Sequence, residues 1–294
     1  PTESEGQLLV NQRKAFYFKI DDVNKWSMYV KNADSTLIQN AGKQIQEAID
    51  TYVLGLYGDV ASGQRIGTAY ITGTVAVAVT TGVVTGTGTT FTASMTGKGI
   101  KVLGHTKYYR VKTYTSATEI VIEDDKDDEI SAYTGGSITA GATYIIEANT
   151  AITVTNSTIY GYILELDRAL SEAKIPKTDR SLIVSPAIAS VLKKASELIP
   201  AVATAYDDIV KKGLLGQIGG FTVYQSMQVA GDNTNGYWIL AAHKSWCTLA
   251  QAFTDSKIED VVGGFGTAYK GLNVYGAKVV DGRRKAAAAL FCKI

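Results

Sequence analysis

The stretch Gly216-Gln217-Ile218-Gly219-Gly220-Phe221-Thr222-Val223-Tyr224-Gln225-Ser226 reads as a glycine-punctuated turn feeding a short strand. Its apolar residues Phe221 and Val223 alternate, which is the period-two pattern of a half-buried strand. Upstream, Ser181-Leu182-Ile183-Val184 is another strand, and it runs into Ser185-Pro186. A serine cap followed by proline in the first turn is a helix start. Downstream, Tyr237-Trp238-Ile239-Leu240-Ala241-Ala242 is a further apolar strand. Val274 to Val280 and Ala286 to Phe291 are expected to pair, with Asp281-Gly282 as their hairpin turn.

Moving toward the N-terminus, a helix is expected from about Ser157 to Lys174 with Asn156 as its cap. Ile159, Ile163, Leu166, Leu170 and Ala173 mark its buried face, and Pro176 stops it. The clearest helix runs from about Asp34 to Tyr57, capped by Asp34 or Ser35. Leu37, Ile38, Ala41, Ile45, Ala48, Ile49, Tyr52, Val53 and Leu56 form its apolar stripe, and Gly58 is placed to end it. At ~1.5 Å per residue it spans roughly 35 Å, the length of a spine. Before it, Leu8-Leu9-Val10 and the strand Phe16-Phe18-Ile20 read as a hairpin turning at Asn11-Gln12-Arg13-Lys14. Isolated hairpins are marginal in water, so this one needs a partner surface.

From about Gly63 to Thr150, Gly, Thr and Val dominate. Val75 to Val79, Tyr109 to Tyr114 and Glu119 to Ile122 read as strands, with turns at Gly86-Thr87-Gly88 and Gly135-Gly136. The expectation is a small all-β module, sandwich or barrel, inserted into a helical protein. Ile66 to Gly97 carries no charge, but its glycines and threonines make it a poor lipid-facing helix.

The chain has 294 residues, a net charge of +1 and only 19% charged residues, against about 25% in a typical soluble domain. The balance argues against a strongly basic nucleic-acid binder. Cys247 and Cys292 form no CxxC pair and read as small reduced hydrophobes. Pro1-Thr2-Glu3-Ser4-Glu5 is polar and acidic, unlike a signal peptide.

Catalytic vocabulary is sparse. His105 and His243 have no HExxH or paired metal spacing and read as structural. Gly97-Lys98 lacks the earlier glycine and the following Ser or Thr of a phosphate loop. Gly263-Gly264-Phe265-Gly266 lacks the dinucleotide-binding spacing. The acidic run Glu123-Asp124-Asp125-Lys126-Asp127-Asp128-Glu129 reads as a solvated turn joining two strands. Arg283 and Arg284 read as an exposed turn, able to touch nucleic acid or a neighbour's carboxylates. No catalytic, cofactor-binding or metal residue is assigned, and no cofactor is expected.

Four stretches together resemble the major capsid proteins of tailed bacteriophages, the Hong Kong 97-type fold. They are the strand ending Ile20-Asp21-Asp22-Val23, the helix ending Ile49-Asp50-Thr51-Tyr52, Arg180 to Pro186, and Gly216 to Ser226 followed by Val274 to Val279. The resemblance implies an α+β fold with an N-terminal arm and extended hairpin loop at 1–33 and a spine helix of a peripheral domain at 34–62. It implies further an inserted β-sandwich or barrel at 63–150, a peripheral helix at 151–175, an axial domain at 176–270 and C-terminal strands returning to the peripheral domain at 271–294.

By the same resemblance, the protein is a structural head protein and not an enzyme. It would assemble with copies of itself into pentamers and hexamers of an icosahedral shell enclosing double-stranded DNA, touched non-specifically at the inner face. Portal, scaffolding and cement or decoration proteins would be its other partners, with no membrane. The location would be the virion, after assembly in the host cytoplasm. Glycine joints near Gly213, Gly219-Gly220 and Gly263-Gly264 are expected to let one chain adopt several curvatures. The rival reading is a carbohydrate- or surface-binding β-module protein of a virion, motivated by the tyrosines of the β-rich segment.

Overall fold

The structure is a computed structural model that describes residues 7–21, 33–125, 130–195, 216–261, 264–279 and 282–294. Asp22-Val23, residues 126–129, Gly213, Gly263, Val280 and Asp281 of the expectations above lie outside the described residues, as does the side chain of Asp34.

In chain order the first elements are β1 (Gln12–Asp21) and α1 (Ala33–Gly55). The β-rich segment holds β2 (Arg65–Ile66), β3 (Thr68–Tyr70), β4 (Thr74–Val77), β5 (Val83–Thr87), β6 (Gly99–Val102), β7 (Tyr109–Ser116), β8 (Glu119–Asp125), β9 (Ile130–Ser131), β10 (Ile138–Ala142) and β11 (Tyr144–Thr150). Then come β12 (Ile152–Thr153), α2 (Ile159–Glu172), β13 (Arg180–Val184), α3 (Pro186–Lys193), β14 (Gln217–Ile218), β15 (Phe221–Gln225), β16 (Gly231–Asp232) and β17 (Gly236–His243). The chain ends with β18 (Cys247–Asp260), β19 (Gly266–Val279) and β20 (Ala287–Lys293). It divides into two compact units, Pro1–Leu54 with Cys247–Lys278, and Gly55–Trp246 with Val279–Ile294.

The first unit is built on a three-stranded sheet in the order β1-β19-β18. β1 pairs antiparallel with β19 without a break, from Gln12 opposite Tyr275 to Asp21 opposite Gly266. The N-terminal hairpin expected from the sequence is not formed. Gln12, Arg13 and Lys14, read as its turn, are strand residues whose partner lies far down the chain. Ten consecutive ladder positions on a long strand outcompete a short local hairpin. Aromatic side chains fix the register: Phe18 stacks on Tyr269 directly opposite, with centroids 5.1 Å apart, and on Phe16 at 5.8 Å. α1 contributes Tyr52, whose ring meets Tyr275 edge-on at 5.8 Å. The α-helix ends at Gly55, a little before the expected Tyr57, and Leu56–Asp59 continues as a 3-10 turn.

The second unit holds two sheets. One runs β12-β20-β17-β13-β15-β14, with β2 on β20 and β16 on β17. β13 and β15 are parallel, and β13 and β17 antiparallel. The glycine-punctuated stretch folds as its pattern predicts. β14 and β15 form a hairpin whose two turn residues, Gly219 and Gly220, have φ of 57° and 86°. Positive φ at both positions is what a two-residue turn needs to match the strand twist. α2 buries Ile159, Ile163, Leu166 and Leu170 against Leu182, Phe221, Ile239 and Leu290 of this sheet. Its end is set at Lys174, with φ 60°, two residues ahead of Pro176. Its N-cap is Thr158, with no capping hydrogen bond from its side chain, and not the expected Asn156. At α3 the Ser185 hydroxyl accepts a hydrogen bond from the Ile188 N–H at 3.4 Å, with Pro186 in the first turn.

The other sheet has nine strands in the order β10-β4-β5-β8-β7-β6-β11-β3, with β9 on β8. Its strands form one hydrogen-bonded sheet. Val75, Val77, Val84, Ile100, Val111, Ile120, Ile122 and Ile146 alternate along its strands and form its core with Phe91 and Met95. Gly86 and Thr87, read as turn residues, lie in β5, and the chain turns at Gly88 with φ 70°.

The C-terminal hairpin is also corrected. β19 belongs to the first unit, whereas β20 pairs with β17, β12 and β2 in the second. The two compact units change over in sequence at Cys247 and at Val279. Ala287 to Leu290 and Cys292 are all buried, which is the pattern of a central strand covered on both faces and unlike that of a terminal hairpin.

Candidate functional site

In the first unit, apolar surface is left in water on the ribbon and on the helix. β18 lies at one edge of its sheet, and no described residue of it is buried. Ile258 is 66% exposed, and Phe265, in the turn to β19, is 84% exposed. A fourteen-residue edge strand presents backbone donors and acceptors that invite pairing. α1 repeats the theme. Of its described apolar residues only Ile49 and Leu54 are buried, and Leu37 is 39% exposed. Exposed apolar surface of this kind is characteristic of contact faces.

In the second unit, charge is buried at one place. The Ser62-Gly63 turn sits between two carboxylates. Asp125 accepts from the Ser62 N–H at 3.1 Å and from the Ser62 hydroxyl, and forms an ion pair with Arg284. Glu147 accepts from the Gly63 N–H at 2.6 Å, and its other oxygen lies 4.0 Å from Arg65 Nε. Arg65 spends its remaining donors on the carbonyls of Gly97 (2.6 Å), Gly58 (2.7 Å) and Val60 (2.6 Å). Gly99 makes room for Glu147, since a Cβ there would lie 2.3 Å from its carboxylate. Burial pushes the Glu147 carboxyl up to about 7 against the opposing pull of Arg65. Burial would raise Asp125 too, but the Ser62 hydrogen bond and Arg284 outweigh it, and its value is lowered.

Beside this cluster lies a cleft of about 380 Å³. Aromatic rings line it: Trp238 is stacked on Tyr57 at 4.7 Å and on Phe291 at 4.5 Å. Arg65, Lys98 and Arg110 line it as well. Lys98 Nζ donates to the Asn149 carbonyl at 2.9 Å. Burial, with Arg65 nearby, brings Lys98 down to about 8.

Neither histidine belongs to the cluster or the cleft. His105 packs against the Tyr109 and Tyr133 rings, and His243 Nδ1 is 2.8 Å from the Ser245 hydroxyl. Among the described residues no group of three His, Cys, Asp or Glu could hold a metal, and no helix is long and apolar enough to cross a membrane. Both thiols are free. Cys292 is buried on β20 and pushed up to about 12, and burial also raises Cys247 on β18.

Three expectations are corrected here. Asp124 and Asp125 are not a solvated turn: their side chains are buried, and Asp124 pairs with Lys107 at 2.8 Å. Arg284 is not an exposed turn residue, because Asp125 draws it inside; Arg283 reaches the Ser245 carbonyl at 3.4 Å. Tyr109, Tyr133 and Tyr144 lie in the core of the nine-stranded sheet, so the sugar-stacking motive for the rival reading is lost for them. Sequence reasoning missed Arg65 and Glu147. The one available signal was Glu147 itself, a lone carboxylate within the apolar strand Tyr144–Thr150.

No family model and no curated protein matches the chain in sequence. Solved structures do match in fold. The structure of Mycobacterium phage Che8 aligns with a TM-score of 0.57 at 14% identity, over 99% of this chain and 76% of that one. The capsid of cyanophage P-SCSP1u gives 0.53 at 12% identity, over 99% and 77%. The asymmetric unit of the mature capsid of bacteriophage PhiM1 gives 0.51 at 12%, over 96% and 71%. The class of architecture is thereby defined. The chain has the α+β, Hong Kong 97-type fold found in phage capsids, as its sequence resemblance implied.

Proposed function

We propose that this protein is the major capsid protein of a tailed bacteriophage, a structural subunit with no catalytic role. Copies of it would form the pentamers and hexamers of an icosahedral shell around double-stranded DNA, located in the virion. The observation that carries the reading is the alignment of nearly the whole chain with capsid structures. The exposed edge strand β18 and the half-covered stripe of α1 support it, because obligate interfaces bury ~2,000 Å² or more of such surface.

In this reading α1 is the spine helix of the peripheral domain, with β18 and β19, and β1 belongs to the N-terminal arm and extended loop. The eight-stranded sheet with α3 is the axial domain, and α2, expected as a peripheral helix, is assigned with it because it packs on that sheet. The nine-stranded sheet is an inserted module. Portal, scaffolding and cement proteins are the further partners to be sought.

The test is to purify the chain and image it by electron microscopy across a concentration series, with sedimentation velocity in parallel. Rings of five or six subunits, or closed shells, are the expected outcome. Dispersed monomers throughout, also after co-expression with the neighbouring head genes, would overturn the reading.

A further inference from the structure

The cleft beside the buried charge cluster is uneven in its chemistry. Arg65, Lys98 and Arg110 line it, and no carboxylate among the described residues does. Arg65 is only 6% exposed, and its Nε has no hydrogen-bond partner among the described residues. Glu147 and Asp125 supply the negative charge that a buried guanidinium needs, so Arg65 gives the cleft positive field more than a free donor. The carboxylate nearest that donor, Glu147, stands 4.0 Å away, and its value near 7 leaves it part-protonated at neutral pH.

Arg110 lies on β7 opposite Glu123, yet among the described residues no hydrogen bond or ion pair occupies its guanidinium. Gly97, with φ 81°, brings the backbone close: a Cβ there would sit 3.5 Å from Arg110 Nη2. Lys98 keeps one donor beyond the two it gives to Asn149. The hydroxyls of Ser94 and Thr96 complete a donor-rich wall. Tyr57, Trp238 and Phe291 also line the cleft, as a column in which both faces of Trp238 are covered by its neighbours.

We propose that this cleft binds a nucleotide: the phosphate against Arg110 and Lys98, in the positive field of Arg65, and the base against the rim of the Tyr57–Trp238–Phe291 column. Charge-assisted hydrogen bonds from two or more cations make the phosphate contact the stronger of the two. Ring contact adds to it without selecting a base strongly. The ligand chemistry is the same for a free mononucleotide and for one residue of a single strand. The site is a property of one subunit, so it stands or falls apart from the shell reading.

The experiment is calorimetric titration of the purified, folded chain, with tryptophan fluorescence compared between the parent and Trp238→Phe to isolate the Trp238 signal. The probes are inorganic phosphate, deoxyadenosine, deoxyadenosine monophosphate and an eight-nucleotide single strand. The monophosphate should bind at least tenfold more tightly than phosphate or the nucleoside, and should perturb Trp238. Tighter binding by the single strand would assign the site to strands, and tighter binding by the monophosphate to free nucleotides; either supports the proposal. The Lys98→Ala/Arg110→Ala double variant, checked for an unchanged circular dichroism spectrum and melting temperature, should lose at least a hundredfold. Arg110→Lys, which keeps the charge, should lose less than Arg110→Ala. Absence of saturable binding by both nucleotide probes, or binding that survives in the folded double variant, would overturn it.

Discussion

Arg284 and Asp125 form an ion pair between side chains that are 6% and 1% exposed, tying together positions 159 residues apart. Arg284 Nε also donates to the Asp59 carbonyl at 3.1 Å, and Asp125 holds the Ser62 turn. The pair therefore sits where the 3-10 turn after α1, the end of β8 and the start of β20 meet. Removing one partner strands a charge away from water. Asp125→Ala is expected to cost roughly 3–5 kcal/mol of stability, read as a drop in the urea midpoint with an unchanged slope. An Asp125→Leu/Arg284→Met pair should recover much of that loss. A single variant as stable as the parent would contradict the buried pair.

Stability should depend on pH in two opposite ways. Glu147 titrates near 7 in the folded chain and near ~4.3 when unfolded. The folded state thus holds the extra proton, and stability falls as pH rises from about 4.5 to about 7, by on the order of 3 kcal/mol. Asp125 is depressed, so its contribution is present above the ordinary carboxylate value and is lost as pH falls through its lowered value. Glu147→Gln should flatten the neutral arm and leave the acid arm in place. Denaturant midpoints at pH 5, 6 and 7 for both proteins decide this, and a parallel decline in the variant would remove Glu147 as the cause.

The ribbon's register rests on a hole opposite a ring. Phe16 faces Gly271 across the ladder, and a Cβ at 271 would lie 2.1 Å from its Cε1 atom. Gly271→Ala must expel the ring, at a cost of about 1–3 kcal/mol. Limited proteolysis should then cut within Gln12–Asp21 faster than in the parent. Equal cutting rates would mean that the ring is not what holds β1.

Assembly and folding should separate at β18. Ile258→Lys with Phe265→Lys places charge on surface that is already in water. Thermal unfolding of the dispersed chain should move by no more than about 0.5 kcal/mol. Particle formation in sedimentation should be lost. Intact particles from the double variant would show that contacts are made elsewhere.

Ser185→Ala should destabilise by about 1 kcal/mol, and Ser185→Asp should restore most of it. Thermal melts of the three proteins measure it. This cap was legible because Ser-Pro ahead of an apolar helix is a local signal, complete within four residues. The same holds for Gly219-Gly220, where two positive φ values need no distant partner, and for the buried face of α2, whose spacing alone places four side chains.

What sequence misread was pairing at a distance. Leu8 to Ile20 carries a hairpin's local pattern, but ladder energy comes from the strand it meets, and Gly266–Val279 offers a longer one. Asp281-Gly282 is a strong turn signal, yet Arg284 is pulled inward by a carboxylate 159 residues away. The buried charge cluster was illegible for the same reason. Asp125 looked solvated among its acidic neighbours, and only the folded chain brings Ser62, Arg284 and Asp125 together.

The two thiols differ in a way that is useful at the bench. Cys292 is sealed within a central strand and stays protonated at any working pH, whereas Cys247 is partly in water at the head of β18. Since only the thiolate attacks an electrophile, a maleimide probe at pH 7.5 attaches to Cys247 and leaves Cys292 untouched. These residues therefore carry a single address for a dye or a spin label, through which the proposed joining of subunits would be followed in real time without altering one residue.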